Sequence, residues 1–417
     1  MFAFVFTTGT FAALALMWWH LQRAVTCADA DGRVWCRHPR SWRAALAAML
    51  LLLSYGPRGW FMLRGDPMGN GSLLMELCFV WMVMVLWFCT AALCVDVWNG
   101  FALLCQFAQR KLFRRTSRCP LISPRHAACA AAAFTAVALV CGLCGVRHPR
   151  VVHREIASAA VPASADGYRL MLLSDLHFRQ QRYPAAILDA VEAALQSEKP
   201  DLLVHAGDFV DGPWSGDISP LVERVRRWTL PDGKFAVLGN HDAYAGRLAS
   251  VRWHEQAGLR LLGQSVEKCS ARPNAWLFLG GADDEAVWRL DRALLRQRAV
   301  REGGESMPQH EIRRIVEELP EVPESCFGLL LRHQPLVPRK LPAGYAAMVS
   351  GHTHGGQVFP FNFVVYATYG LRTGVPQWSR NLWIYICRGT GFWGPPLRFL
   401  EPPEITVITF RHQSSSN

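Results

Sequence analysis

Three long stretches of the 417-residue chain contain no Asp, Glu, Lys or Arg: residues 1–22, 77–95 and 126–146. Each is close to the ~20 apolar residues that cross a bilayer as a helix. A fourth uncharged stretch, residues 44–57, is shorter and spans only if Arg58 and Arg64 reach back toward a headgroup layer. No basic residue opens the first stretch, as one would in a cleaved signal peptide. The scarcity of ionisable residues within these stretches excludes a transporter, whose pathway needs them. Cysteine pairs suited to a zinc finger are also missing, because Cys141 and Cys144 fall inside the third stretch. Of 13 cysteines, ten precede residue 150, mostly in apolar surroundings where they act as small apolar side chains. Cys269, Cys326 and Cys387 remain, an odd number from which no disulfide follows.

The charge that is present is unevenly placed. Arg23, Arg33, Arg37, Arg40 and Arg43 separate the first two apolar stretches in chain order, and Arg110, Lys111, Arg114, Arg115, Arg118 and Arg125 separate the last two. Only Arg58 and Arg64 lie in the loop between them. Basic loops stay cytoplasmic, so four spans are expected, with everything after the fourth on the extracytoplasmic side of an inner (plasma) membrane. The net charge of +11 is concentrated in these loops, where anionic lipid and topology account for it, and no nucleic-acid partner is expected.

Beyond residue 168 the pattern changes to short apolar runs alternating with amphipathic helices. Strands are expected at 170–173, 201–205, 235–238, 259–266, 275–279, 327–331 and 345–349, and helices at 185–196, 221–228 and 244–256. The charged stretch 289–320 suggests two helices around a Gly-rich turn. Such alternation implies an α/β layered domain. The expected plan is therefore a transmembrane helical region at 1–148, a linker at 149–167, a catalytic domain at 168–412 and a disordered tail at 413–417.

Metal-binding side chains recur where the apolar runs end. Asp175 and His177 follow the first, Asp208 and Asp211 the next, and Asn240, His241 and Asp242 the third. His333 ends a later run, and His352 and His354 sit among Gly351, Gly355 and Gly356 after the last. Ligands of open α/β sheets collect at such strand ends. Carboxylates, a carboxamide and imidazoles together suit divalent Mn, Fe or Zn. His205 lies within its strand and is expected to be a core or surface residue.

The order Asp-x-His, Gly-Asp-x-x-Asp, Gly-Asn-His-Asp, His, Gly-His-x-His resembles the calcineurin-like metallophosphoesterase superfamily over residues 168–410. The stretches "GHTHGGQ" and "CRGTGFWGPPLRFLEPPEITVITF" are similar to the branch of membrane-attached bacterial phosphoesterases. The resemblance implies a four-layer αββα sandwich with two divalent ions. One would be held by Asp175, His177, Asp208 and His354, the other by Asp208, Asn240, His333 and His352, with Asp208 as the bridge. Asp211 would support the ligands from behind. His241 would face the phosphate and protonate the leaving oxygen, with Asp242 orienting its ring. The implied reaction is phosphoester hydrolysis by a metal-bridging hydroxide, with phospholipids or phosphodiesters as candidate substrates. Phe392, Trp393 and the apolar stretch 359–370 offer a greasy rim, and Arg179, Arg182 and Arg388 are candidate phosphate contacts. The alternative activity is a UDP-diacylglucosamine pyrophosphatase of lipid A synthesis, whose cytoplasmic substrate conflicts with the expected topology.

Overall fold

The structure is a computed structural model that describes residues 2–27, 39–63, 73–113, 119–178, 184–212, 217–263, 265–269, 276–290, 319, 321–323, 326–338, 341–379 and 381–414. The chain forms two compact units, one of residues 1–142 with 394–396, the other of residues 143–393 with 397–417.

The first unit is helical: α1 (Phe2–Thr26), α2 (Pro39–Leu63), α3 (Leu73–Phe113) and α4 (Pro124–Gly145). Leu14 of α1, Leu46 and Leu50 of α2, and Val85 and Cys89 of α3 make its small core. Among the described residues two helices are long and apolar enough to cross a membrane, Glu76–Leu112 and Pro124–Gly145. Among the described residues the expectation of about four spans is therefore cut back to two candidate helices. Charge explains the loss of α2, whose uncharged run is hemmed in by Arg40, Arg43 and Arg58. Side chains of α1 are described only from Thr10 onward.

The second unit is a pair of mixed sheets. The first sheet has the order β1 (Arg150–Ser158), β12 (Glu404–His412), β2 (Arg169–Leu173), β3 (Leu202–Ala206), β4 (Lys234–Val237) and β5 (Arg260–Leu261). The second runs β10 (Gln377–Ser379), β11 (Leu382–Ile386), β9 (Tyr345–Ser350), β8 (Phe327–Arg332), β7 (Leu277–Ala282) and β6 (Ser265–Cys269). Strands β2 to β5 are parallel, as are β7, β8, β9 and β11. Alternate side chains of each strand face opposite ways. Leu170, Leu172, Leu202 and Val204 thus meet Leu279, Leu329, Leu331 and Val349 in a core between the sheets. On the outer face of the first sheet, Met171, Leu173 and Leu203 pack against Ile187, Leu188 and Val191 of α5 (Pro184–Glu198) and Val222 and Val225 of α6 (Ser219–Arg226). Leu330, Met348, Leu382 and Ile384 on the far face of the second sheet are packed by Val322, Leu319, Val337 and Leu341 among the described residues. The helices expected at 289–320, which would complete a fourth layer, lie almost entirely outside the described residues, and so does the end of the tail.

Residues 149–167 are not a plain linker. They contain β1, which pairs with β12 along its whole length, Arg150 with Glu404 through Ser158 with His412. The helix expected at 244–256 is broken into α7 (Asn240–Tyr244) and α8 (Arg247–Gln256), because Gly246 between them adopts φ +97°. The apolar stretch after the last histidines forms a helix, Phe361–Tyr369.

Candidate active site

The parallel strands deliver their C-terminal ends to one edge, and every candidate ligand follows such an end. Tight turns make this possible. Gly207 adopts φ +88°, and a Cβ there would meet His333 Nδ1 at 2.5 Å. A Cβ on Gly351 would meet Ser174 Oγ at 2.6 Å. Asp175, His177, Asp208, His352 and His354 themselves have φ between 46° and 70°. This left-handed conformation is uncommon outside glycine, though Asp and His tolerate it better than most.

The seven expected ligands gather into two adjoining groups. In the first, His354 Nε2 lies 3.1 Å from His177 Nε2 and 3.4 Å from Asp175 Oδ1. In the second, His333 Nε2 lies 3.1 Å from Asn240 Oδ1 and 3.2 Å from His352 Nδ1, which is itself 2.9 Å from Asn240 Oδ1. Asp208 Oδ2 joins them, 3.0 Å from His333 Nε2 and 3.7 Å from His177 Nε2. The carboxylate of Asp175 is held by the Ser174 hydroxyl, which donates at 2.6 Å, and by the amide of His352 at 3.1 Å.

The donor set fits metal ions. His333 Nδ1 donates to the carbonyl of Ala206 at 2.8 Å, so Nε2 is the nitrogen turned toward two oxygens and another imidazole nitrogen. Such convergent lone pairs repel unless a cation sits among them. Electrostatics make the same point. Burial opposes charge on His333, yet Asp208 and Asp175 outweigh it and push its pKa up to about 10. Burial beside that ring pushes His352 down to about 3. The second group thus attracts one positive charge while keeping a neighbouring imidazole neutral, as a ligand must be.

The His241 ring takes its hydrogen bond from outside both groups, although its backbone amide donates to Asp208 Oδ1 at 2.8 Å. Its Nδ1 lies 2.7 Å from Asp211 Oδ1, and its ring meets those of His177 at 4.8 Å and Trp393 at 5.7 Å. Burial disfavours a charged ring here, but the hydrogen bond to Asp211 and the nearby Asp208 carboxylate raise its pKa overall. The expectation that Asp242 orients this ring is corrected: Asp211 does so. Asp242 is fully buried and faces the backbone. Its Oδ2 accepts from the amides of Asp208 (2.9 Å) and Gly239 (2.8 Å), and its Oδ1 from those of Phe209 and Val210 (3.1 Å each). It therefore clamps the turn that presents Asp208.

Other expectations resolve residue by residue. His205 is a core histidine, buried against Phe209 and His254, with its pKa well below the usual range through burial. Arg388 is committed to Glu401 (2.9 Å) and Glu404 (2.7 Å), which removes it as a phosphate contact. Arg179 and Arg182 lie outside the described residues. Sequence reasoning missed Arg398, whose buried guanidinium donates to the His354 carbonyl at 2.7 Å and to His354 Nδ1 at 2.8 Å. The only signal was a lone arginine in the apolar run "PPLRFL".

Two packed mixed sheets with carboxylates, imidazoles and a carboxamide at their strand ends define a metal-dependent phosphoesterase. The family model described as calcineurin-like phosphoesterase matches residues 168–356. An uncharacterized metallophosphoesterase of Aquifex aeolicus is 29% identical over 63% of this chain and 92% of its own length. The uncharacterized metallophosphoesterase YkuE of Bacillus subtilis is 30% identical over 61% of this chain and 83% of its own. A transmembrane protein with metallophosphoesterase domain from Danio rerio is 28% identical over 67% of this chain, but only 61% of that protein is covered. The chain belongs to the calcineurin-like phosphoesterase family, and it is a phosphoesterase hydrolase.

Proposed function

We propose that the protein is a membrane-anchored phosphoesterase working with two divalent metal ions, Mn, Fe or Zn. The observation that carries this reading is Asp208 Oδ2, placed within 3.7 Å of imidazoles from both ligand groups. One ion would be held by Asp175, His177, Asp208 and His354, the other by Asp208, Asn240, His333 and His352. When bound, such ions supply Lewis acidity toward phosphoryl oxygens and lower the pKa of the attacking water. His241 then acts as the general acid. With Nδ1 held by Asp211, Nε2 is the nitrogen left to give a proton to the departing oxygen. The half-exposed Trp393 ring flanks the imidazole at 5.7 Å.

Anchoring is supported by the two helices that qualify as spans and by the relative named as a transmembrane protein. The proposed organisation keeps a membrane region at 1–148 and a catalytic domain at 168–412, with 149–167 contributing an edge strand. The basic residues between α3 and α4 favour a cytoplasmic loop, hence a multi-pass protein of the inner (plasma) membrane with its catalytic domain outside. Phosphoesters, lipids among them, are the proposed substrates. No observation favours the UDP-diacylglucosamine pyrophosphatase reading. The test is hydrolysis by the purified full chain of phosphomonoesters, phosphodiesters and lipid-linked pyrophosphates, with elemental analysis of the same sample. Activity with at most one ion per chain would refute the dinuclear scheme.

A further inference from the structure

The helix Phe361–Tyr369 begins five residues after Gly356 and buries none of its residues. Phe363 is 63% exposed and Val364 56%, with Phe361 and Tyr366 also open to solvent. A surface helix of a soluble domain ordinarily turns an apolar stripe inward and a charged face outward. This one carries no charged residue at all. Its inner side is tied to the site, for the Tyr369 ring stands edge-on to His352 at 6.2 Å, and the backbone of Phe361 and Asn362 abuts Gly356.

In chain order the charge beside it is of one sign, although Asp284 acts electrostatically on Tyr369 and the Glu401 carboxylate lies beside Gly355. No Asp or Glu occurs from residue 325 to residue 400, whereas arginines do. Arg372, exposed just past the helix, lies 6.0 Å from the Tyr366 ring. Exposed aromatic and aliphatic side chains with an exposed arginine just past them match the headgroup–acyl boundary of an anionic bilayer. Near such a surface each basic residue contributes about 1 kcal/mol. Connectivity points to the same occupant. Only residues 146–149 separate the end of α4 at Gly145 from β1 at Arg150, a reach of about 14 Å.

We propose that the helix Phe361–Tyr369, with Arg372, docks on the surface of an anionic bilayer and holds the His352 side of the active site against lipid headgroups. The inference rests on the anchored phosphoesterase reading and adds to it where the substrate is met: a phosphoester presented at the membrane surface. An apolar helix that borders the catalytic edge then serves as the seat of the enzyme on its substrate plane.

The test uses the full chain in nanodiscs of phosphatidylglycerol and phosphatidylcholine, with photo-crosslinking benzoyl-phenylalanine placed at Phe363 or, as control, at the exposed Arg227 just past α6. Lipid adducts at Phe363, absent at Arg227 and reduced about fivefold in phosphatidylcholine alone, are expected; the factor follows from losing about 1 kcal/mol of attraction at Arg372. No adduct at Phe363, equal yields at the two positions, or adducts to a second protein chain instead of lipid would overturn the docking. Equal yields in neutral and anionic discs would overturn its dependence on charge. Hydrolysis of p-nitrophenyl phosphate by the unmodified chain in the same discs is read separately. Adducts without hydrolysis sink the phosphoesterase reading and leave the surface assignment standing, and hydrolysis without adducts does the reverse.

Discussion

Replacing Asp242 separates a structural role from a catalytic one. Its carboxylate receives four backbone amides, two on each oxygen. In Asp242→Asn one oxygen survives and can keep Phe209 and Val210, but an NH2 now faces the amides of Asp208 and Gly239. Two buried donors are left opposed to a donor. A buried unsatisfied group is worth ~1–3 kcal/mol, so the substitution should destabilise by about 2–6 kcal/mol. Alanine, which strands all four amides, should be worse. Either loss is a large fraction of the ~5–15 kcal/mol that folded domains possess. Thermal melting of the full chain in detergent, with elemental analysis below the transition, is the assay. A lowered midpoint is expected, and both ions should be bound less tightly because the Asp208 turn slackens. Wild-type melting and metal content with impaired turnover would refute this reasoning and return Asp242 to the role of orienting His241.

Asp208→Ala should lose both metal ions, whereas His177→Ala should weaken mainly one, as elemental analysis of purified variants will show. His241→Ala should keep its metals and lose roughly 10²–10⁴ in turnover, less for nitrophenyl esters, whose leaving groups need little protonation. Asp211→Asn should fall in the same direction by a smaller factor, and metal loss in either variant would contradict the assignment. Asp283 is buried, accepts from the Leu238 amide at 2.9 Å, and has its pKa pushed up by burial to about 6. An acid raised in this way contributes stability that is complete below the unfolded value of 3.8 and gone above about 6. The stability of wild type relative to Asp283→Asn should therefore fall by up to about 3 kcal/mol across that window. A difference that is flat with pH would show that Asp283 does not titrate there.

The strands that carry the site were legible because each is a short apolar run closed by polar ligand-type residues, with glycine in the turn after β3, β4 and β9, and the structure places β2, β3, β4, β8 and β9 within a residue or two of the expected bounds. β1 was not legible. Sequence RVVHREIAS puts charge at several positions of an edge strand whose only buried side chain is Ile156, so it leaves no apolar signature. Within the site, the Asp211–Asp242 exchange shows what adjacency conceals. Asp242 follows His241 directly, yet the first turn of α7 points the two side chains different ways, and the ring's partner comes from thirty residues earlier. Arg398 escaped because an arginine in an apolar run gives no hint of what it meets. Among the described residues the candidate spans are fewer than expected for the opposite reason: absence of charge was legible, but Arg43 and Arg58 limit the uncharged run within α2.

The left-handed backbone of Asp175, His177, Asp208, His352 and His354 bears on how this lineage could change. Strain of this kind is of order 1–3 kcal/mol per residue, and glycine would relieve it. A gene copy released from hydrolysis would thus gain fold stability by drifting to glycine at any of these five places. Retirement from chemistry is the downhill direction. All five carry donor side chains in this chain, so inactive relatives should be sought among sequences with glycine at these same turns.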